Sequence, residues 1–257
     1  MLWHKAWLET RWRFISALVI LTMLAGSSVF SYFANARLMA QLPEMTASPV
    51  TESTGLAAAI REAIEVQKDF RGFIWYRSFR DNLSNMGVFF AILLGCGGLV
   101  SETSKGSALF TLALPVTRRR MVGTRAGAGL AQCFVIAMVP PLAIAILAPA
   151  VGQRFTLVDA LSHGICLFFV GAVFFGLASF LSTIFADIWR PLVIALGVAM
   201  TVAVASFVVP QLDLFSVMNG ESYFRTGSLP WTGLLTSAVL TTALLYGAAE
   251  SLERRDF

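Results

Sequence analysis

The sequence predicts an all-α membrane protein: six transmembrane helices, an N-terminal interfacial amphipathic helix, and an external helical segment between spans 1 and 2. Three observations lead there. Of 257 residues, 57% are hydrophobic and only 13% are charged, whereas soluble domains run about 45–50% apolar and about 25% charged. A chain with a mean hydropathy of +0.74 has too little polar surface to cover a globule, so its excess apolar side chains must face lipid. The apolar residues also gather into six stretches, near 14–36, 83–101, 127–150, 160–185, 191–210 and 230–250. Each approaches the roughly 20 residues needed to cross a hydrocarbon core about 30 Å thick. Finally, the basic residues fall in loops that a single orientation puts on one side of the membrane.

The chain reads as one transmembrane domain over 1–257. In residues 1–13, Trp3, Ala6, Trp7 and Thr10 recur at helical spacing, with Lys5, Glu9, Arg11 and Arg13 elsewhere around the wheel. That pattern suits a helix lying in the interface plane, and equally the flank of the first span. In both readings Trp3, Trp7, Arg11 and Arg13 are candidate membrane-interface anchors. Ala34-Asn35-Ala36 resembles a signal-peptidase site. The apolar run before it is nevertheless as long as a full crossing, against roughly 7–15 residues for a signal core, so an uncleaved first helix is expected.

Segment 37–82 is the one sizeable polar stretch. Pro43, Pro49 and Gly55 break its first part. From Leu56, the residues Leu56, Ile60, Ala63 and Ile64 share a face while Arg61, Glu62, Glu65 and Lys68 point away, which predicts an amphipathic helix. Phe70, Phe73, Trp75, Tyr76 and Phe79 then read as interfacial aromatics that bring the chain back to the membrane surface. Within the spans, Gly95, Gly97 and Gly98 suggest close helix contact or a bend. Pro140-Pro141 should kink or break the third span, because each ring removes a backbone donor.

Orientation follows from the loops. With both termini cytoplasmic, the inner side carries eleven basic against six acidic residues, and the outer side eight against nine. Six of those eight lie in the long segment 37–82, so the short basic loops decide the topology. Basic charge of this kind points to lipid headgroups and not to nucleic acid. Cys96, Cys133 and Cys166 fall in apolar runs without C-x-x-C spacing, which indicates packing residues and neither disulfides nor zinc. His4 and His163 lack companions at ligand spacing, so no metal site is expected. Asp159, His163, Asp187, Arg190 and Glu250 sit near span ends within reach of water, and no charge lies in mid-membrane, where an ion-coupled carrier would need one.

The informative stretch is Glu102 to Arg125, E-T-S-K-G-S-A-L-F-T-L-A-L-P-V-T-R-R-R-M-V-G-T-R, on the cytoplasmic side in this topology. Pro115 disfavours helix at Leu114, so a short apolar helix should end there. Thr117 can cap the next helix, with Arg118, Arg119 and Arg120 in its first turn. Three arginines oppose the dipole at that helix end, so they serve anionic headgroups or an acidic partner surface. No G-x-x-x-x-G-K-[ST] occurs anywhere, so the chain carries no phosphate-cradling loop.

Glu102, Gly106 and L-A-L-P-V-T-R-R-R together resemble the loop between spans 2 and 3 of ABC-2 type transporter permeases. The resemblance extends to the order of parts: an interfacial N-terminal helix, six spans, an external segment after the first, and a short basic C-terminus. It implies that the loop over 102–126 is a coupling helix docking on a separate ATP-binding subunit. Carried over by position, that role falls on Glu102, Gly106, Leu114, Pro115, Arg118 and Arg120, with Lys105 and Arg119 added for charge and proximity. It further implies a second permease copy, a translocation pathway between the two, and export. ATP and magnesium would be held by the partner, with no cofactor and no catalytic residue on this chain. A non-transporting membrane scaffold and a secondary transporter are the alternatives.

Overall fold

Every regular element among the described residues is a helix. The computed structural model describes residues 2–45, 62–96, 118–185, 187–206 and 213–254, with side chains placed from 3 to 35 and from 120 onward in the first and third stretches. The order is α1 (Leu2–Met45), a helical turn at 62–66, α2 (Phe70–Ile74), a π-helical segment (Trp75–Leu83) and α3 (Ser84–Gly95). Then come α4 (Arg118–Leu147) with a 3-10 turn (Ala148–Val151), α5 (Leu157–Ile184), α6 (Trp189–Ala205), α7 (Leu214–Met218), α8 (Glu221–Thr226) and α9 (Trp231–Glu253).

Among the described residues, four helices are long and apolar enough to cross a membrane: Trp3–Asn35, Arg120–Val151, Leu157–Ile184 and Trp231–Glu253. They overlie expected spans 1, 3, 4 and 6. The 17-residue helix α6 and the 12-residue helix α3 stand at expected spans 5 and 2. The expected ends of those two spans, at 210 and 101, lie outside the described residues.

Helix α1 runs unbroken from Leu2 to Met45, so residues 2–13 join the first span without a break in the helix. Nothing between Leu2 and Ala25 breaks a helix: the first glycine is Gly26 and there is no proline. Its inward face, Ala6, Phe14, Ala17, Leu21, Ala25 and Val29, is buried at steps of three to eight residues, the repeat of one helical face. Its other face is just as apolar. Trp12, Met23 and Phe30 are 70%, 69% and 60% exposed, which in water would be an aggregation surface and in a bilayer is the lipid side.

Helix α5 is the axis of the bundle and packs against α3, α4, α6, α7 and α9. Its most apolar stretch is 61% buried, against 22–39% for the other three long helices. Thr156 starts it by accepting a hydrogen bond from the Asp159 amide at 3.1 Å, a standard N-cap. The expected close contact at Gly95 is present: a Cβ there would lie 2.5 Å from the Phe175 carbonyl oxygen, so only glycine lets α3 meet α5 at this level. The Pro140-Pro141 pair leaves α4 uninterrupted through to Leu147.

The aromatic run after residue 69 departs from expectation. Phe70, Phe73, Trp75 and Phe79 are core residues, each at most 2% exposed. Tyr32 of α1 receives Phe70 and Phe73 at 5.1 and 5.4 Å between ring centroids, and Trp75 stacks on Phe224 at 4.6 Å. Phe70 and Phe73 lie on α2, and Trp75 and Phe79 face inward because Trp75–Leu83 is wound as a π-helix. Ser84 Oγ donates to the Phe79 carbonyl, five residues back, at 2.6 Å. This wider turn places Trp75, Phe79 and Leu83 on one buried face at steps of four.

Candidate functional site

Twenty-eight residues make α5 about 42 Å long at 1.5 Å per residue, and polar side chains cluster at both of its ends. The end near Ser182 and Thr183 is where the chain leaves α3 and re-enters at α4, on either side of the segment 97–117. Here α1 reaches across to both. Arg13 donates to the Leu93 carbonyl at 3.1 Å and to the Cys96 carbonyl at 2.5 Å. The last carbonyls of a helix have no partner within it; a guanidinium supplies one, and also complements the negative end of the dipole. Beyond Gly95 the backbone turns extended at Cys96, so Arg13 holds the point where the segment begins.

The other side of the segment is held one turn earlier on α1. Arg125 donates to Glu9 at 2.6 Å, with both side chains about three-quarters buried, and Lys5 lies 3.7 Å from the same carboxylate. Gln132 Nε2 donates to Thr10 Oγ1 at 2.7 Å, and Trp3 covers Gly127. Between these contacts and Ser182, Thr183 and Leu252 lies a cavity of about 50 Å³. Gln132 Oε1, on the same side chain that meets Thr10, is buried without a hydrogen-bond partner among the described residues. One turn of α1, Glu9 to Arg13, therefore bridges the two ends of the segment.

The sequence-predicted site residues divide unevenly over this geometry. Glu102, Lys105, Gly106, Leu114 and Pro115 lie outside the described residues, as does Thr117. Arg118 and Arg119 open α4, as the sequence predicts, and Arg120 follows them with an exposed side chain. Of the four anchor candidates, Trp3 and Trp7 are 53% and 40% exposed, and Arg11 lies over the Trp12 ring at 5.5 Å. Arg13 instead spends its guanidinium on α3. The sequence puts Glu9 and Thr10 on the N-terminal helix but does not show their contacts with Arg125 and Gln132, because only the packing of α1 on α4 brings them together.

At the far end of α5, Asp159 and His163 are buried, 8% and 1% exposed, and do not reach water as expected. Asp159 accepts from Arg71 at 3.0 Å, from Tyr223 at 3.1 Å and from Thr156 at 2.6 Å. His163 stacks on Phe79 at 4.1 Å, with Nδ1 3.1 Å from the Asn219 carbonyl, which also accepts from Trp75 Nε1 at 3.1 Å. The cluster ties the π segment and the turn after α7 to the start of α5. At the same end Arg225 pairs with Glu62 and Glu221 at 2.8 Å each. Among the described residues no group of His, Cys, Asp and Glu is placed to hold a metal ion, and the three cysteines are buried free thiols.

No curated protein and no solved structure matches the chain. A family model described as "ABC-2 family transporter protein" matches residues 9–226, which takes in α1 from Glu9, the clamped segment and all of α3 to α8. Long apolar helices with lipid-type faces, and a match over most of the length, agree: the chain is a membrane-embedded protein and belongs to the ABC-2 family of transporter membrane proteins.

Proposed function

We propose that the chain is the permease subunit of an ABC transporter. It has six spans and both termini in the cytoplasm of a bacterial inner membrane, and it exports its cargo through a passage formed with a second permease copy. A separate ATP-binding subunit docks on the loop 102–126, binds ATP and magnesium, and hydrolyses the ATP. The family match supports the permease role. The excess of basic residues on one side supports the orientation, and the shorter apolar helices α3 and α6, at the second and fifth apolar runs, support the count of six spans.

One observation carries the coupling assignment. The turn Glu9–Arg13 holds Cys96 on one side of the segment and Arg125 on the other. A push on the loop is thereby delivered to α1, α3 and α4 together. In two-state terms, ATP favours one global arrangement of the subunits and the loop passes that bias to the helices. Glu102, Lys105, Gly106, Leu114, Pro115, Arg118, Arg119 and Arg120 form the docking surface in this reading.

Purification of the tagged chain from its own membranes is the first experiment. The reading expects a Walker-motif protein to co-purify and its ATPase rate to rise with permease present. A chain that recovers no such partner, or has no effect on its hydrolysis, is a scaffold and not a permease.

A further inference from the structure

The far end of the bundle holds a second feature, apart from the contacts of Glu9 and Arg13. A cavity of about 220 Å³ lies between the turn at 62–66, the π segment and α8, walled by Glu62, Trp75, Tyr76, Arg80, Glu221 and Arg225. It is smaller than the roughly 300–1,000 Å³ of drug-sized pockets and suits a headgroup-sized molecule. Close packing holds the turn beside it: a Cβ on Gly72 would lie 1.8 Å from the Val66 carbonyl oxygen, so only glycine lets the turn at 62–66 sit this near α2, which leads into the π segment.

The charges in the cavity are divided. At one side Glu62 and Glu221 share a single arginine: Arg225 binds Oε1 of each at 2.8 Å. Two carboxylates on one guanidinium leave that side net negative, with Oε2 of each carboxylate still able to accept. At the other side Arg80 lies over the rings of Tyr76 and Trp75, at 5.0 and 5.9 Å. With the described residues it makes no hydrogen bond and no ion pair. Stacking uses the flat face of a guanidinium and leaves its N–H edge for a carboxylate or phosphate. The two sides share one space, since Arg80 is close enough to help hold the Glu62 carboxyl below the usual range, after the larger effect of Arg225.

We propose that this cavity binds a small zwitterion with its anionic group on the Arg80 guanidinium and a primary ammonium on the free oxygens of Glu62 and Glu221. The ammonium must carry N–H donors. A quaternary ammonium needs open aromatic faces, and here Arg80 covers Tyr76 and Trp75 while Phe224 stacks on Trp75. Ethanolamine-type ligands are therefore preferred over choline-type ones. The same chemistry is offered by a free solute and by an ethanolamine lipid headgroup.

The test uses the full chain in phosphatidylcholine nanodiscs and needs no ATPase, so it stands apart from the transport reading. O-phosphoethanolamine is titrated by calorimetry, with phosphocholine as comparison. In parallel, the thermal midpoint is measured with and without phosphatidylethanolamine in the disc. Saturable binding is expected, at least tenfold weaker for phosphocholine and at least tenfold weaker in Arg80→Gln and Glu62→Gln, with Arg80→Lys in between. A response to the lipid alone assigns the site to headgroups; a response to the free compound assigns it to a solute. If neither binds, or if choline and ethanolamine compounds bind alike, the proposal fails. Equal binding by folded Arg80→Gln also overturns it. The choline comparison needs only the unmodified chain, so misfolding of a variant does not protect the idea.

Discussion

Arg13 donates to the Leu93 carbonyl at 3.1 Å across eighty residues of sequence, joining the first turns of α1 to the last turn of α3. A hydrogen bond from a charged group is worth about 1.5–3 kcal/mol. Arg13→Met should lower stability by about that amount while leaving the chain inserted. The more specific result is local: amides at 93–96 should exchange with deuterium at least tenfold faster. Unchanged exchange there would mean that α3 ends as it does without Arg13.

The Glu9–Arg125 pair holds the other side of the same segment. Largely but not fully buried pairs of this kind are worth about 1 kcal/mol. Glu9→Arg and Arg125→Glu should each weaken coupling between ATP hydrolysis and transport, and the double exchange should restore most of it. A double variant as impaired as the sum of the singles would show that the charges matter separately and not as a clamp.

Gly95 is a packing prediction. With a Cβ position 2.5 Å from the Phe175 oxygen and 2.8 Å from the Ala178 Cβ, Gly95→Ala must push α3 off α5. Overpacking of this kind costs about 1–3 kcal/mol. The thermal midpoint of the purified chain should fall by several degrees. Gly123→Ala, where no atom lies within 4 Å of the added carbon, should leave the midpoint unchanged or raise it.

A pH dependence follows from Glu62. The hydrogen bond and charge of Arg225 hold its carboxyl below the usual range. A carboxyl lowered in the folded state contributes stability that is complete above its unfolded pKa and fades as pH falls through the lowered folded value. The chain should therefore lose midpoint on acidification below the ordinary carboxylate range, and Glu62→Gln should lose less over the same interval. Both curves falling in parallel would remove Glu62 from the effect.

Span positions were legible because lipid imposes them: twenty apolar residues in a row have few other uses, and four of six runs reappear as long apolar helices. Gly95 was legible too, since a glycine in a span has few reasons to be there besides close approach. The aromatics from Phe70 to Phe79 were misread, because a surface aromatic and a core aromatic carry the same letter and π winding has no sequence signature. Asp159 and His163 were taken for water-reaching residues because Arg71, Tyr223 and Asn219 are distant in sequence. The pairing of Glu9 with Arg125 and of Thr10 with Gln132 is hidden for the same reason. Of the clamp, only Arg13 and Arg125 stood out, as charge beside a span.

The central claim is that the loop bounded by Cys96 and Arg125 transmits ATP-driven work from a separate subunit. The most direct test is the ATPase rate of the co-purified complex in nanodiscs, compared between the native chain and a variant with Arg118, Arg119 and Arg120 replaced by glutamine. The account predicts that stimulation of hydrolysis by the permease falls at least tenfold while the variant remains folded and inserted. Full stimulation and full transport in that variant would contradict it.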